Sequence, residues 1–474
     1  MKIAYIHYHL NTGGVTTVLR HQVDALRKTD NILVLIGEPG RSIYSATTVV
    51  IDGLGYDIPT RASPPAQDVA DSILAAIHSH FNGPCDLLHV HNPTIAKNRN
   101  FLNILNRLQQ TGIPLFLQIH DLAEDGRPRL FYQQAYPADC HFGVINSRDY
   151  GLLRQGGLKS EGLHLIPNMV KVNVSVKGKA GSNTIPNDIV LYPIRAIRRK
   201  NIGEAILLSL FFQNSETLVI TLPPNSPMDV KAYEGWIQFV QANNLNVVFD
   251  AGLKQDFGRL VQNARFLLTT SIAEGFGFSF LEPWLAGKLL YGRKLPDICR
   301  DFEDNGIVLD HMYSQLLIAL DWLPRDSLSY HWKTCMRNVM RYFGISTDPD
   351  DIDRAFSSVT IGNRVDFGLL GEAYQKRVID RIVADRSTAK ELVRINPFLA
   401  EPGNVFHQNR LVEINRRAVS AGYNTDGYRH RIRRIYDRVT KTKVSHCLSH
   451  IPLLDYFLEP SNFSLLKWCD YVES

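Results

Sequence analysis

Short apolar runs alternate with longer amphipathic stretches over the first part of the chain, and this rhythm restricts the fold more than any other feature. Residues 2–6, 31–36, 86–90, 115–119, 142–145 and 163–166 have strand length and apolar content. Between them lie stretches such as 15–27 and 98–110, whose apolar positions recur with the period of a helix. Strands separated by helices build a parallel sheet with helices on its faces. Residues 171–188 break the pattern, being polar and rich in Lys, Gly, Asn and Ser. A second series then follows, with strand-like runs at 189–192, 217–221, 246–249 and 265–270. The expected α/β organisation is therefore an N-terminal Rossmann-like domain over 1–172, a linker at 173–188 and a second Rossmann-like domain over 189–321. From residue 322 the strand signal fades, and 371–383 and 405–419 read as amphipathic helices, so 322–474 is expected to be a helical extension.

Composition narrows the function classes. The chain has 474 residues, 45% hydrophobic and 21% charged, which is enough for two or more folded cores and argues against wholesale disorder. A net charge of +5 is small for this length and does not mark a nucleic-acid protein, which is not an expected partner. The six cysteines are scattered without a C-x-x-C pair, as expected of reduced thiols in a cytoplasmic protein. The opening MKIAYIHYHL does not resemble an export signal, and no run reaches the ~18 apolar residues of a membrane span. Peripheral membrane contact stays open. The Arg-rich stretch 428–443 is either a solvated helix face or a surface for anionic lipid or nucleic acid.

Chemistry is concentrated in residues 271–283, SIAEGFGFSFLEP, where Glu274 and Glu282 bracket the turn Gly275, Phe276, Gly277 and Phe278. The run before it reads as a buried strand and the run after it starts a helix. In open α/β sheets ligands sit beyond the carboxyl ends of strands, where helix N-termini offer unpaired N–H groups to phosphate. Two interpretations coexist: a sugar-nucleotide site, or a structural helix start in which Ser279 and Glu282 form a capping box. A second glycine pair, Gly13 and Gly14, lies between the first strand and the first helix, where the backbone can approach phosphate or simply turn. Arg195 and Lys200, in LYPIRAIRRKNIGE, open a cationic loop after the strand at 189–192; Arg and Lys grip phosphate oxygens by a fork and a point charge respectively. Arg198 and Arg199 enlarge that cluster and read equally well as a solvated basic loop. His120 ends the strand PLFLQIHD, a place suited to orienting a hydroxyl group. His89 and His91, spaced two apart on the preceding strand, are weaker candidates that line the same end of the sheet.

These residues, in this order, resemble retaining glycosyltransferases of family 4, which have the GT-B fold of two Rossmann-like domains facing a cleft. The resemblance runs over about residues 1–320 and includes Pro167 and Asn168 at the end of the first domain. It implies that Glu274 lies by the donor sugar, Glu282 holds the ribose, and Arg195 with Lys200 grips the donor diphosphate. It implies further that the Gly13–Gly14 loop faces that diphosphate and that His120 hydrogen-bonds the transferred sugar. The implied reaction passes a sugar from a nucleoside diphosphate to a hydroxyl acceptor with retention and needs no cofactor and no metal. The acidic residues 348–353 fit a turn and helix cap better than a metal site. After Glu282 the chain reads PWLAGKLLYGRKLPDI instead of the small-residue helix and Gly-Gly turn common in that family. Alternatives are an epimerase or phosphorylase of the same fold, or a non-catalytic nucleotide-binding partner.

Overall fold

A computed structural model describes residues 1–40, 46–172, 188–213 and 216–470. They divide into two compact units, Met1–Met169 with Tyr423–Phe457, and Val170–Gly422 with Leu458–Ser474. Of the expected linker, residues 173–187 lie outside the described residues and only Asp188 is described.

The first unit is built on seven strands: β1 (Lys2–His7), β2 (Asn31–Ile36), β3 (Thr47–Val50), β4 (Leu87–His91), β5 (Leu115–Ile119), β6 (His141–Val144) and β7 (Leu163–Leu165). They pair in the order β3-β2-β1-β4-β5-β6-β7, every pair parallel. β1, β2, β4, β5 and β6 are almost wholly buried, which explains their near-continuous apolar runs: helices cover both faces of a parallel sheet. β3 was not expected. It is an edge strand of four residues with no buried side chain, so it lacks the apolar signature of the others.

One helix in this unit comes from far along the chain. Thr425–Lys441 presents Tyr428, Ile432, Ile435, Tyr436 and Val439 on one buried stripe, at helical spacing, to the core formed by β1, β2 and the helix Gly14–Leu26. Tyr436 Oη lies 2.9 Å from Tyr5 Oη and 2.6 Å from His89 Nδ1, while Gln22 Nε2 donates to Tyr428 Oη at 2.6 Å. Arg429 donates to Ala25 O and Arg433 to Asp30 Oδ2. The Arg-rich segment therefore packs one face into the first unit, and two of its arginines satisfy buried or half-buried acceptors there. The helical C-terminal region expected from residue 322 is present, and its part Tyr423–Phe457 belongs to the first unit, where that stripe finds its apolar partner.

The second unit holds β8 (Ile189–Arg195), β9 (Thr217–Leu222), β10 (Val247–Val248), β11 (Ala264–Thr269) and β12 (Leu290–Gly292), in the order β10-β9-β8-β11-β12 and all parallel. A short antiparallel pair, β13 (Leu317–Ala319) and β14 (Arg364–Asp366), follows. Helices Arg325–Tyr342, Glu372–Ala384 and Gln408–Gly422 belong to this unit, as does the short helix Leu465–Trp468. Asp348 caps Pro349–Val359 by accepting from Asp350 N at 2.9 Å, the cap expected of the acidic stretch.

Cys335 and Cys469 form a disulfide with Cα atoms 5.9 Å apart, whereas six reduced thiols were expected. A sequence separation of 134 leaves no motif; the pair arises because the end of the chain packs against Arg325–Tyr342. Cys85, Cys140, Cys299 and Cys447 are free. Among the described residues, no helix is long and apolar enough to cross a membrane.

Candidate functional site

In the second unit β8 and β11 are neighbours, so the loops leaving their carboxyl ends are neighbours too. Arg195 ends β8, the loop after it carries Ala196 to Lys200, and the loop after β11 carries Ser271 to Gly277. Backbone and hydroxyl groups lash them together. Tyr192 Oη donates to Lys200 O at 2.6 Å and accepts from Thr270 N at 3.1 Å. Thr270 Oγ1 donates to Asn201 O at 2.9 Å, and Ile272 N donates to Arg199 O at 3.0 Å.

This scaffold sets the charges. Lys200 Nζ pairs with Glu274 Oε1, and Arg199 Nη1 lies 3.8 Å from Glu274 Oε2 while donating to Ala273 O at 2.9 Å. The side chains of Lys200 and Glu274 are 15% and 8% exposed, so water screens this pair weakly. Burial pushes the Glu274 carboxyl up, but Lys200 and Arg199 outweigh it and hold the group below its ordinary value, ionised at neutral pH. Burial lowers the Lys200 ammonium and Arg199 adds to that, with Glu274 pulling the other way. Arg195 differs. Its guanidinium donates to Pro223 O at 2.9 Å and has no ion pair among those seen in the described residues, which leaves much of its donor fork available.

Glu282 opens the four-residue helix Glu282–Leu285. Water reaches its side chain, yet protein crowds it on the other sides; that crowding pushes the carboxyl up to about 7, with Lys200 pulling it down. The capping box does not form: Ser279 Oγ is buried without a hydrogen-bond partner, and the helix has no side-chain cap. Gly277 has φ +86°, and a Cβ there would meet Phe280 Cδ2 at 2.9 Å, so the turn demands glycine on both counts. The Phe276 ring is buried beside Phe278 and Phe302, at 5.0 and 5.9 Å between centroids. What Phe276 can offer a ligand is thus its backbone.

The far end of the cationic loop is anchored by residues that sequence reasoning missed. Arg293, just after β12, sits between Glu204 and Asp366, with Nη2 at 2.6 Å from Glu204 Oε2 and 2.8 Å from Asp366 Oδ1. Tyr313 Oη donates to Glu204 Oε1 at 2.7 Å, and Gln375 Nε2 donates to Asn201 Oδ1 at 2.9 Å. Arg293 lies in the stretch YGRK, and partners 89 and 73 positions away leave no local signal.

In the first unit, Gly13 is the N-cap of Gly14–Leu26, extended and without a side-chain cap, and no acidic residue occupies the first turn. A Cβ at Gly14 would meet nothing within 4 Å. The helix N-terminus is thus open and positively polarised. His120 follows β5 directly, its Nε2 2.9 Å from His91 Nδ1 and its backbone N donating to Asn92 Oδ1. Burial lowers its imidazole to about 4, against the pull of Asp121, so it is neutral near pH 7. His89 is fully buried between Tyr436 and Gln118, which makes it a core residue instead of one lining the sheet's end. Among the described residues, no group of three or more His, Cys, Asp or Glu is placed to hold a metal ion.

The seven- and five-strand parallel sheets match solved structures over nearly the whole chain. HepE from Anabaena in complex with UDP-glucose superposes with a TM-score of 0.54 at 13% identity, covering 92% of this chain and 99% of that one. Sucrose-phosphate synthase from Thermosynechococcus elongatus gives 0.53 at 15% identity, covering 92% and 98%. The fold is GT-B. A curated relative, mannosylglucosyl-3-phosphoglycerate synthase of Petrotoga mobilis, is 28% identical over 352 residues, covering 66% of this chain and 68% of the relative. No family model matches the chain.

Proposed function

We propose that the protein is a glycosyltransferase that moves a sugar from a nucleoside diphosphate to a hydroxyl acceptor, with retention and without a metal. One observation carries this reading: an ionised, largely buried Glu274 is held by Lys200 and Arg199 at adjoining strand ends, with Arg195 at the end of β8 and without an ion-pair partner among the described residues. When the glycosidic bond breaks, negative charge grows on the departing diphosphate, and fixed cations in a poorly screened site lower the cost of that charge. Arg195, Lys200 and Arg199 supply it. Glu274 orients Lys200 and contacts the sugar, and Glu282 accepts from ribose hydroxyls. The same reading gives His120 a hydrogen bond to the transferred sugar and gives the Gly13–Gly14 turn, through its backbone, a contact with phosphate.

The relative's name, a synthase of a mannosylglucosyl phosphoglycerate, supports glycosyl transfer, and the UDP and UDP-glucose held by HepE support a nucleotide-sugar donor. The test is a screen of uridine-, guanosine- and adenosine-diphosphate sugars for protection against thermal unfolding, followed by NMR of the product's anomeric centre. Retention predicts the donor's configuration in the product; inversion overturns it. Turnover that needs free phosphate, or consumes donor without acceptor, would point to a phosphorylase or epimerase. Turnover abolished by a chelator and restored by a divalent cation would overturn the metal-free assignment.

A further inference from the structure

Arg198 stands between Arg195 and Lys200 but turns away from them. Its Nε and Nη2 donate to the two oxygens of Glu372 at 2.5 and 2.8 Å, and the pair is 9% and 3% exposed. The remaining nitrogen, Nη1, donates to Cys469 O, and Nη2 also reaches Leu465 O at 3.5 Å. The backbone N of Arg198 is held by Asp229 Oδ1 at 2.8 Å. Both carbonyls come from the end of the chain, at the helix Leu465–Trp468 and the residue after it. That segment is itself pinned: Ser464 Oγ donates to Gly368 O at 2.7 Å, Leu465, Leu466 and Trp468 are buried, and Cys469 is bonded to Cys335. A void of about 10 Å³ is lined by Arg198, Glu372, Gln375 and Leu466 among others.

We propose that residues 458–470 form a strap that positions the cationic loop through Arg198, and that the Cys335–Cys469 disulfide fastens it, so that reduction weakens binding of the donor's diphosphate. This regulatory role rests on the proposed function of the same loop. Arg198 is a positioning residue. Its guanidinium joins the loop that carries Lys200 and Arg199 to the carbonyl of Cys469, the residue that the disulfide itself fixes. A dithiol reductant delivers two electrons and two protons to the sulfurs, yielding two thiols and closing to its own cyclic disulfide. Cys469 is then held by packing alone, and Arg198 keeps Glu372 but loses a fixed acceptor.

The experiment uses the full chain, with UDP and GDP as probes and uridine and guanosine as controls that lack the diphosphate. Peptide mapping after alkylation of the unreduced protein is expected to recover Cys335 linked to Cys469; finding both alkylated overturns the proposal. Reduction, or Cys469→Ser with Cys335→Ser, is expected to weaken nucleoside diphosphate binding by roughly fivefold to tenfold, the lower range of a coupling between sites, and to leave nucleoside binding unchanged. Equal diphosphate affinities in the two redox states overturn it. Arg198→Ala strands Glu372 in the interior and threatens folding, so the paired variant Arg198→Met with Glu372→Leu replaces both charges with apolar groups. In that variant diphosphate binding is expected to be weak and indifferent to reductant; persistent redox sensitivity overturns the part assigned to Arg198. If the oxidised wild type binds neither UDP nor GDP, the proposed function fails first and the strap's role falls with it, an outcome distinct from binding that ignores the redox state.

Discussion

At the scale of single residues, two cations at the end of β8, Lys200 and Arg195, differ in what removing them costs. Lys200 neutralises Glu274, so Lys200→Ala leaves a carboxylate in a poorly solvated place and is expected to lower both stability and turnover. Arg195 has no ion-pair partner among the described residues. Arg195→Ala should therefore leave the melting temperature within about 2 °C of wild type, as neutral surface substitutions do, while transfer falls by roughly 10²–10³-fold, the loss typical of one charge-stabilising donor. Unchanged transfer in a folded Arg195→Ala protein would remove Arg195 from the site. Ser279 offers a second residue-level test. A capping box would cost about 1 kcal/mol on Ser279→Ala, but its hydroxyl is buried without a partner, so truncation removes an unsatisfied group and should hold or raise the melting temperature. A clear drop would restore the cap. The sequence displayed Glu274, Glu282, Arg195 and Lys200 because they recur at fixed local spacing. It hid Arg293, Glu204 and Asp366, whose mutual contacts exist only once the chain has folded.

At the scale of elements, long buried strands were legible, whereas the exposed edge strand β3 and the short but buried β12 were not. β1, β2, β4 and β5 are covered on both faces and so are written as apolar runs, whereas β3 at the edge and the three-residue β12 carry too little apolar sequence to be seen. The same burial gives the first sheet an acid sensitivity. His7, His89 and His164 are lowered by burial to about 3, and His120 to about 4, from the ordinary value of 6.5. Each stays neutral in the folded chain and gains a proton when unfolded at pH below about 6.5. Unfolded chain thus binds more protons as pH falls, so stability is complete above 6.5 and declines toward the folded values, at about 1.4 kcal/mol per pH unit for each histidine. Denaturant unfolding followed from pH 7 to pH 4.5 should show this slope. His164→Gln should reduce it by about one proton's worth; a slope that does not change would mean His164 titrates alike in both states.

At the scale of the whole molecule, the path of the chain was the least legible feature. Amphipathic stretches past residue 322 announce helices but do not say which core takes their apolar stripes, because a stripe of Tyr, Ile and Val fits any complementary surface. The chain in fact leaves the second unit at Gly422, contributes Tyr423–Phe457 to the first, and returns at Leu458. Tyr428, Ile432, Ile435, Tyr436 and Val439 are buried in that excursion, and five large side chains at about 1.5–3 kcal/mol each sum to roughly the entire stability of a domain, even as an upper estimate. A chain ending at residue 422 should accordingly lose hydrogen-exchange protection throughout β1, β2 and Gly14–Leu26. A chain ending at residue 457 keeps the excursion and should retain that protection, while exchange rises selectively in the second unit, at residues 195–201 and in Arg325–Tyr342, where the missing segment made its contacts. Equal protection of the first unit in both truncations would show that its core is complete without the returning helix. Loss of that protection in both would show that the last seventeen residues serve the first unit as well as the second.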